Sequence, residues 1–183
     1  MVEPRISRTP STSRPRQSTS TAGAGSLTEL QQELATRVGD SASVDFAAMS
    51  VVSGIHRAAT DIRNHLERTV LGTDGLSNSA YAALFTLWVR GDQEARHLAH
   101  ECGVSKGTLT GIVTTLEGRG LVARHAHESD GRLVVVSLTT KGRATAKRLF
   151  PKFNREETRL ASALSASEQR TLAALLAKLQ ATL

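Results

Sequence analysis

Residues 97–122, HLAHECGVSKGTLTGIVTTLEGRGLV, contain side chains suited to two different kinds of chemistry. His97, His100 and Cys102 are of types that bind transition metals, and an activated cysteine can also sense oxidants. The Ser, Thr and Gly residues that follow have hydroxyl groups or no side chain, which suits close contact with a large polyanion such as DNA. The helices and strands around these residues determine which chemistry is possible.

Composition narrows the class of protein. A chain of 183 residues with 39% hydrophobic content fits one ordinary domain, and only 3% aromatic residues predict an aliphatic core. The net charge of +6 favours a polyanionic partner, nucleic acid before membrane. No apolar run approaches the roughly 20 residues of a spanning helix, and no signal-peptide pattern is present. We therefore expect no membrane partner. A single cysteine cannot form an internal disulfide, which fits a cytoplasmic protein.

The first 43 residues form an extension with two parts. Residues 1–25 are rich in Ser, Thr, Pro and Arg and have no apolar period, which predicts a disordered basic tail. Such an arm either contacts DNA phosphates or is merely solvated. Ser26 and Glu29 have the spacing of a capping box, so residues 26–43 are expected to hold a short extra helix and a linker.

An apolar stripe at helical spacing predicts one long helix from Val44 to about Leu71. Gly72 and Gly75 should break this helix, and Ser77 can cap the next one. The stripe consists of Ala48, Val52, Ile55, Ala59, Ile62 and Leu66.

Residues 140–183 predict two more helices. Thr140 is expected to cap the first, which runs to about residue 163 and which Pro151 should kink or divide. Ser165 and Glu168 form a second capping box. The helix that it starts has a leucine stripe at Leu172, Leu175, Leu176, Leu179 and Leu183.

Between these regions, residues 96–118 predict a helix-turn-helix. Ala99 supplies the small residue where the two helices cross, and Gly103 supplies the turn. The second helix should begin at Ser105, and the apolar positions of the two helices and the turn face inward: Leu98, Cys102, Val104, Leu109 and Ile112. The other face of the second helix is small, polar and suited to a DNA major groove: Lys106, Gly107, Thr108, Thr110, Gly111, Thr114 and Thr115.

A β hairpin follows the helix-turn-helix. Residues 121–127 and 133–138 are apolar and β-branched enough for two strands, and the intervening Asp-Gly favours a tight turn. A two-stranded ribbon in this place is a wing, whose tip holds Arg132. An arginine there can enter a narrow minor groove, with Asp130 steering the guanidinium. An ordinary polar turn is the alternative for these residues.

The stretches GLSNSAYAALFTLW, LAHECGVSKGTLTGIVTTLEGRGLV, DGR and LTTKG together resemble the MarR family of winged-helix transcription regulators, over roughly residues 48–180. The resemblance implies a mainly α protein with a small β wing. Residues 76–139 would form the winged helix-turn-helix domain, and residues 44–75 with 140–183 a helical dimerisation region. It also implies a homodimeric regulator, expected to be a repressor, on a pseudo-palindromic operator in double-stranded DNA. Arg132 would be the wing arginine and Asp130 its partner.

Effectors of this family often occupy a cleft between the dimerisation helices and the winged domain, and their binding releases DNA. The resemblance therefore implies a small phenolic or other aromatic effector. The residues that we expect to line its pocket are His56, His65, Tyr81 and Trp88.

Three features depart from the pattern of the family. Thr114 and Thr115 stand where many members have an Asp-Arg pair, so a phosphate contact is missing or moved. Gly111 has no side chain where an arginine is common, which leaves base readout at that position open. The extension before residue 44 exceeds the usual length, and an added helix there would enlarge the dimer interface.

Competing chemistry has less support. Cys102 is predicted to face inward as a small apolar residue, although a thiol-based redox regulator that uses it stays an alternative. His97 with His100, and His125 with His127, could each give two zinc ligands, but nothing completes a site, so we expect no metal and no cofactor. No phosphate loop, nucleophile elbow or HExxH motif indicates an enzyme. The other alternative is a winged helix that serves as a protein–protein docking module.

Overall fold

The computed structural model describes residues 22–38, 44–127 and 133–183, and the chain divides into two compact units, Met1–Ile55 and His56–Leu183. The predicted basic tail up to residue 21 and the linker at 39–43 lie outside the described residues. The first unit contains helix α1 (Ala22–Val38) and the beginning of α2 (Phe46–Leu66). Because helical geometry already begins at Ala22, the prediction that Ser26 caps this helix was wrong, and so was the assignment of residues 22–25 to the disordered tail.

Side-chain hydrogen bonds organise the first unit. The Asp45 carboxylate accepts from the Ala48 N–H at 2.9 Å, so α2 begins at Phe46 with a capped N-terminus. Gln31 of α1 donates to the Ser50 hydroxyl, which itself donates to the Phe46 carbonyl at 2.7 Å. The two helices of this unit are thus joined through polar contacts near the start of α2.

In the second unit, α2 continues into a π-helical turn (Glu67–Leu71) and a 3-10 turn (Gly72–Asp74). Gly72 has a φ of −59°, an ordinary helical value, and the helical segment continues through it. Gly75 has a φ of 57°, in the left-handed region that glycine tolerates best, and ends the helical segment. Of the two predicted breaks, the one at Gly75 is confirmed and the one at Gly72 was wrong.

The middle of the chain forms a group of short elements. In chain order they are α3 (Asn78–Arg90), β1 (Gln93–Glu94), α4 (Ala95–Glu101), α5 (Lys106–Gly118), β2 (Val122–Ala126) and β3 (Val134–Leu138). Ser77 caps α3 by accepting from the Ala80 N–H, as predicted.

The three strands form an antiparallel sheet in the order β1-β3-β2. The hairpin pairs Val122 with Leu138 and Ala126 with Val134, as two predicted strands require. The third strand, β1, pairs Gln93 with Val136 and was not predicted, because two polar residues have no alternation to detect. The expectation of a mainly α protein with a small β wing is confirmed.

The core of the second unit is aliphatic, as the composition predicts. Its fully buried large side chains come from the π-helical turn, from α3, α4, α5 and β3, and from the helix that follows β3. They are Leu71, Leu84, Leu87, Leu98, Leu109, Leu116, Val136 and Leu149. The aromatic side chains lie along one side of this core, where Tyr81 stacks on Phe153 with ring centroids 4.3 Å apart.

Helix α6 (Thr140–Ala161) packs on this core and contains Pro151. Its cap is Thr139, not Thr140, because the Thr139 hydroxyl is the group that accepts from the Gly142 N–H. The helix is not divided at Pro151, so that part of the prediction was wrong. The fully buried Leu149 and the partly buried Phe153 anchor it on both sides of the proline, and this packing offsets the missing hydrogen bond.

Helix α7 (Ala166–Gln180) begins with the predicted capping box, in which the Ser165 hydroxyl and the Glu168 carboxylate bond each other's backbone amides. No residue of α7 is buried within the described chain. Its leucine stripe therefore has no partner surface among the described residues of this chain. None of the helices in the described ranges is long and apolar enough to cross a membrane.

Gly142 is the position where α6 approaches the base of the wing most closely. A Cβ there would lie 1.9 Å from the Leu121 carbonyl oxygen, a backbone atom that cannot move aside. We expect Gly142→Ala to lower the free energy of unfolding by about 3 kcal/mol. The control is Gly118→Ala, at a position with open space, which should be neutral or stabilising by about 0.5–1 kcal/mol. Equal urea midpoints for the two variants would refute the close approach.

Candidate nucleic-acid interface

Helices α4 and α5 cross at a tight turn. Ala99 is buried at the crossing, and Gly103 adopts a φ of 62° that allows the chain to reverse. The Val104 amide donates to the Ala99 carbonyl and the Gly103 amide to the His100 carbonyl, each at 3.0 Å. The predicted roles of Ala99 as the small contact and of Gly103 as the turn are therefore confirmed.

The two faces of α5 differ as the spacing predicts. Leu109, Val113 and Leu116 are buried, and Ile112 packs against the core. The residues predicted to meet DNA are all exposed: Ser105, Lys106, Gly107, Thr108, Thr110, Gly111, Thr114 and Thr115. One continuous surface of small polar residues is thus available to a partner.

The N-terminus of α5 is capped by Ser105. Its hydroxyl accepts from the Thr108 N–H at 3.1 Å and lies 2.9 Å from the Thr108 hydroxyl, while its carbonyl accepts from the Leu109 N–H. The amides of Lys106 and Gly107 precede the first intrahelical bond and have no carbonyl partner in the helix. With the helix dipole, these two N–H groups favour an anion such as a phosphate at this end.

The threonine hydroxyls of the exposed face bond to their own helix. Thr110, Thr114 and Thr115 each donate to the carbonyl four residues earlier, at 2.9, 2.8 and 3.0 Å. Because the hydroxyl hydrogens are used in this way, the oxygens act as acceptors and the methyl groups as apolar contacts. This set suits a cytosine amino group or a thymine methyl better than it suits a phosphate.

A contact between β2 and α5 was missed by sequence reasoning. The Arg124 side chain donates through Nε to a Glu117 carboxylate oxygen at 3.0 Å, and its backbone amide donates to the other oxygen at 3.2 Å. These bonds lower the pKa of Glu117 and raise that of Arg124. The pair joins the last turn of α5 to the first strand of the wing.

A second unpredicted contact fixes the end of α5. Arg119 donates to the Gly75 carbonyl at 2.9 Å and to the Asp74 carbonyl, and its own carbonyl accepts from the Lys141 ammonium group at 2.9 Å. The Asp74 carboxylate bonds Arg148, which lowers the pKa of Asp74. The end of the helix is thereby held against the turn that precedes α3.

The tip of the wing lies outside the described residues, and with it Asp130 and Arg132. The structure describes the hairpin up to His127 and again from Leu133. At these two residues the His127 amide donates to the Leu133 carbonyl at 2.9 Å. The role of Asp130 and Arg132 at the minor groove therefore stays a prediction.

The four predicted effector residues lie in different places. Tyr81 lines a cleft of about 420 Å³ with Asn78 and Phe153, which we call the Tyr81 cleft. His65 lines another cleft, of about 900 Å³, and its Nε2 lies 3.1 Å from a Glu156 carboxylate oxygen. His56 is exposed, and Trp88 packs on Phe85 and Phe150 at centroid distances of 6.2 and 5.6 Å.

Cys102 and the histidines do not form a reactive centre among the described residues. Cys102 is half-buried against the core, and burial raises the pKa of its thiol, which opposes the thiolate that redox sensing needs. His97 and His100 are exposed, and His97 shares a cleft with His125 and His127 at the base of the wing. Within the described ranges, no group of three or more His, Cys, Asp and Glu residues is arranged to hold a metal ion.

A tight helical crossing, a second helix with a free polar face and a β hairpin beside it define a winged helix-turn-helix DNA-binding domain. The family model described as MarR family matches residues 76–134. The Bacillus subtilis protein named uncharacterized HTH-type transcriptional regulator YwaE is 35% identical over 136 residues, which cover 74% of this chain and 80% of YwaE. The chain belongs to the MarR family and is a DNA-binding transcriptional regulator, not an enzyme.

Further relatives agree with this assignment. The HTH-type transcriptional repressor Rv2887 of Mycobacterium tuberculosis is 31% identical over 57% of this chain and 76% of its own length. A solved structure named probable transcriptional regulator from Pseudomonas aeruginosa is 32% identical, with a TM-score of 0.62 over 68% of this chain and 92% of that one. The S. aureus MepR–DNA complex shares the fold at 19% identity, with a TM-score of 0.64 over 77% of this chain and 100% of MepR. The assignment favours DNA over the protein-docking alternative.

The cap of α5 offers a test of the DNA face. Ser105→Ala removes the hydroxyl that accepts from the Thr108 N–H and should lower the free energy of unfolding by about 1 kcal/mol. We also expect weaker DNA binding well below the melting temperature, because the N-terminus of α5 becomes less ordered. Ser77→Ala, which removes the equivalent cap of α3, is the control and should cost similar stability without a change in affinity. Equal DNA affinities for the two variants in a fluorescence anisotropy titration would contradict the placement of this helix end at DNA.

Proposed function

We propose that the protein is a homodimeric repressor whose two winged domains bind one pseudo-palindromic operator and which a small aromatic effector releases. Residues 76–139 form the DNA-binding domain, and residues 44–75 with 140–183 the dimerisation region. Helix α1 (Ala22–Val38) adds to that region, and the residues before it are the basic tail. Relatives named as repressors, such as Rv2887, support the direction of regulation. With recognition helices one turn of DNA apart, the two half-sites lie roughly 10 base pairs from each other.

The exposed leucine stripe of α7 is the observation that carries the homodimer. Leu172, Leu175 and Leu179 are 45, 54 and 43% exposed, and Leu183, which follows the end of the helix at Gln180, is fully exposed. Apolar surface left in water costs about 25 cal/mol per Å², so a continuous stripe of this kind is usually an interface. A second copy of the chain, with its own stripe, provides the matching surface under two-fold symmetry.

The DNA face that we propose consists of the exposed side of α5 together with the wing. The amides at the start of α5 bind a phosphate, and the threonine methyl and hydroxyl groups approach base edges. Gly107 and Gly111 allow the helix to lie close to the groove. Arg132, steered by Asp130, enters the adjacent minor groove. The surface comprises Ser105, Lys106, Gly107, Thr108, Thr110, Gly111, Thr114, Thr115, Asp130 and Arg132.

The Tyr81 cleft is the effector site that we propose. The Tyr81 hydroxyl and the Asn78 Oδ1 atom are buried and have no hydrogen-bond partner among the described residues, and both residues line this cleft. Unpaired buried polar atoms cost roughly 1–3 kcal/mol each, and a ligand that bonds them recovers this energy. Burial raises the pKa of Tyr81 to about 12, so the phenol keeps its proton at neutral pH and can donate it.

The remaining lining indicates the chemical class of the effector. Phe85 and Phe153 provide aromatic walls, and Arg63 and Glu157 place one cationic and one anionic group at the cleft. Together with the polar atoms of Asn78 and Tyr81, this lining fits a hydroxylated aromatic compound whose acid group, where it has one, pairs with Arg63. Two proteins that share the fold support this class. The DNA binding of Bordetella bronchiseptica BpsR is regulated by 6-hydroxynicotinic acid, and NadR has been solved in complex with 4-hydroxyphenylacetate.

Leu175→Asp tests the homodimer. The carboxylate would be buried without a partner at the interface, so we expect a monomer in light-scattering chromatography and at least tenfold weaker affinity for operator DNA. Ala177→Asp places the same charge on the opposite face of α7 and should leave the dimer intact. A dimeric Leu175→Asp protein with full affinity would rule out α7 as the interface.

Tyr81→Phe tests the effector cleft. The variant lacks an unpartnered hydroxyl, so its stability should be unchanged or higher, and its operator affinity unchanged. The concentration of 4-hydroxyphenylacetate or 6-hydroxynicotinic acid that releases half of the DNA should rise roughly tenfold.

Trp88→Phe, a change in the same aromatic cluster that keeps the cleft hydroxyl, is the control for this measurement and should leave the release concentration nearly unchanged. Equal responses of the wild-type and Tyr81→Phe proteins would place the effector elsewhere. Failure of both acids to release wild-type protein would refute the ligand class.

A further inference from the structure

The exposed face of α5 has little positive charge for a surface that meets DNA. Lys106 is its one cation, and the other positions are Thr, Ser and Gly. Affinity for duplex DNA depends strongly on the number of phosphates that cations neutralise. The C-terminal half of α5, from Ile112 onward, contributes no cation of its own.

Arg124 brings a guanidinium to this part of the helix from the neighbouring strand. Its Nη2 lies 3.4 Å from the Thr114 hydroxyl, in the middle of the exposed face of α5. It also lines, with Lys106 and Thr110, a cleft of about 290 Å³ between α5 and the sheet. The side chain is therefore part of the same surface as the residues of the helix.

The donors of Arg124 are only partly used. Nε and Nη2 bond Glu117 and Thr114, while Nη1 has no acceptor among the residues that the structure describes. Glu117 holds the guanidinium plane through Nε and Nη2, and also accepts from the Arg124 amide. A guanidinium fixed in this way gives up little side-chain entropy when a further anion binds to its free edge.

We propose that Arg124 is a DNA-backbone contact, with Nη1 donating to a phosphate beside the C-terminal half of α5 and Glu117 acting as the residue that positions it. Charge-assisted bonds between Arg and phosphate are among the stronger hydrogen bonds. This contact supplies from a strand the cation that the helix itself lacks. The proposal rests on the DNA-binding function of the family and not on the homodimer or the effector.

A purely structural role for Arg124 makes a different prediction. If the pair only clamps β2 to α5, then removal of either partner lowers DNA affinity to the same extent and leaves its salt dependence unchanged. Removal of a cation that neutralises a phosphate instead lowers the slope of log Kd against log salt by about 0.9 for each such phosphate. Glu117→Gln, which keeps the cation, would not reduce that slope.

The experiment measures binding of the full chain to a 30-base-pair duplex, recovered by selection from a random pool, over a series of KCl concentrations. Arg124→Gln should weaken binding roughly tenfold and reduce the slope by about 0.9 per winged domain. Glu117→Gln should keep the slope of the wild-type protein. Arg159→Gln removes an exposed arginine that is likewise paired with a glutamate but lies on α6, and should change neither quantity.

Each result decides the proposal. A slope reduced only in Arg124→Gln supports it, and equally weakened binding in Arg124→Gln and Glu117→Gln with unchanged slopes overturns it. If Arg124→Gln does not melt cooperatively, the double variant with Glu117→Gln is compared with Glu117→Gln alone, and the same reduction in slope is expected. A wild-type protein that recovers no duplex from the pool would refute DNA binding itself, a failure distinct from that of Arg124.

Discussion

Three buried side chains of α5, Leu109, Val113 and Leu116, hold this helix on the aliphatic core. Burial of a side chain of this size stabilises a fold by roughly 1.5–3 kcal/mol, whereas an exposed ion pair contributes roughly 0–1 kcal/mol. The position of the helix is therefore set mainly from inside the domain. Its outer face has no packing role, so residues such as Gly111 can be small without weakening the core.

Local contacts were the part of the structure that the sequence predicted best. Ser77 and Ser165 each cap a helix as expected, because an N-cap bond joins residues only three apart. The cap of α6 shows the limit of this reasoning. Thr139 and Thr140 are adjacent and equally suited, and the choice of Thr139 follows from a second bond of its hydroxyl, to the Gly120 carbonyl at 2.7 Å.

Features that depend on distant parts of the chain were not predictable in this way. The short strand Gln93–Glu94 exists because β3 offers an edge to pair with. At the candidate site, the exposed face of α5 followed from helical spacing alone, and the structure agrees. The roles of Arg119 and Arg124 were not predicted because their partners lie on other elements, and nothing in a single sequence ties Arg119 to the Asp74 carbonyl.

The bonds of Arg119 to the carbonyls of Asp74 and Gly75 tie one end of α5 to the turn before α3. Helix α5 has 13 residues. At 1.5 Å per residue, a tilt of about 6° about this end would move the Ser105 end by roughly 2 Å. A displacement of that size exceeds the tolerance of a hydrogen bond. A small shift of the turn before α3 would pass to this end of α5 through the Arg119 bonds, and a tilt that follows from it would displace the Ser105 end most.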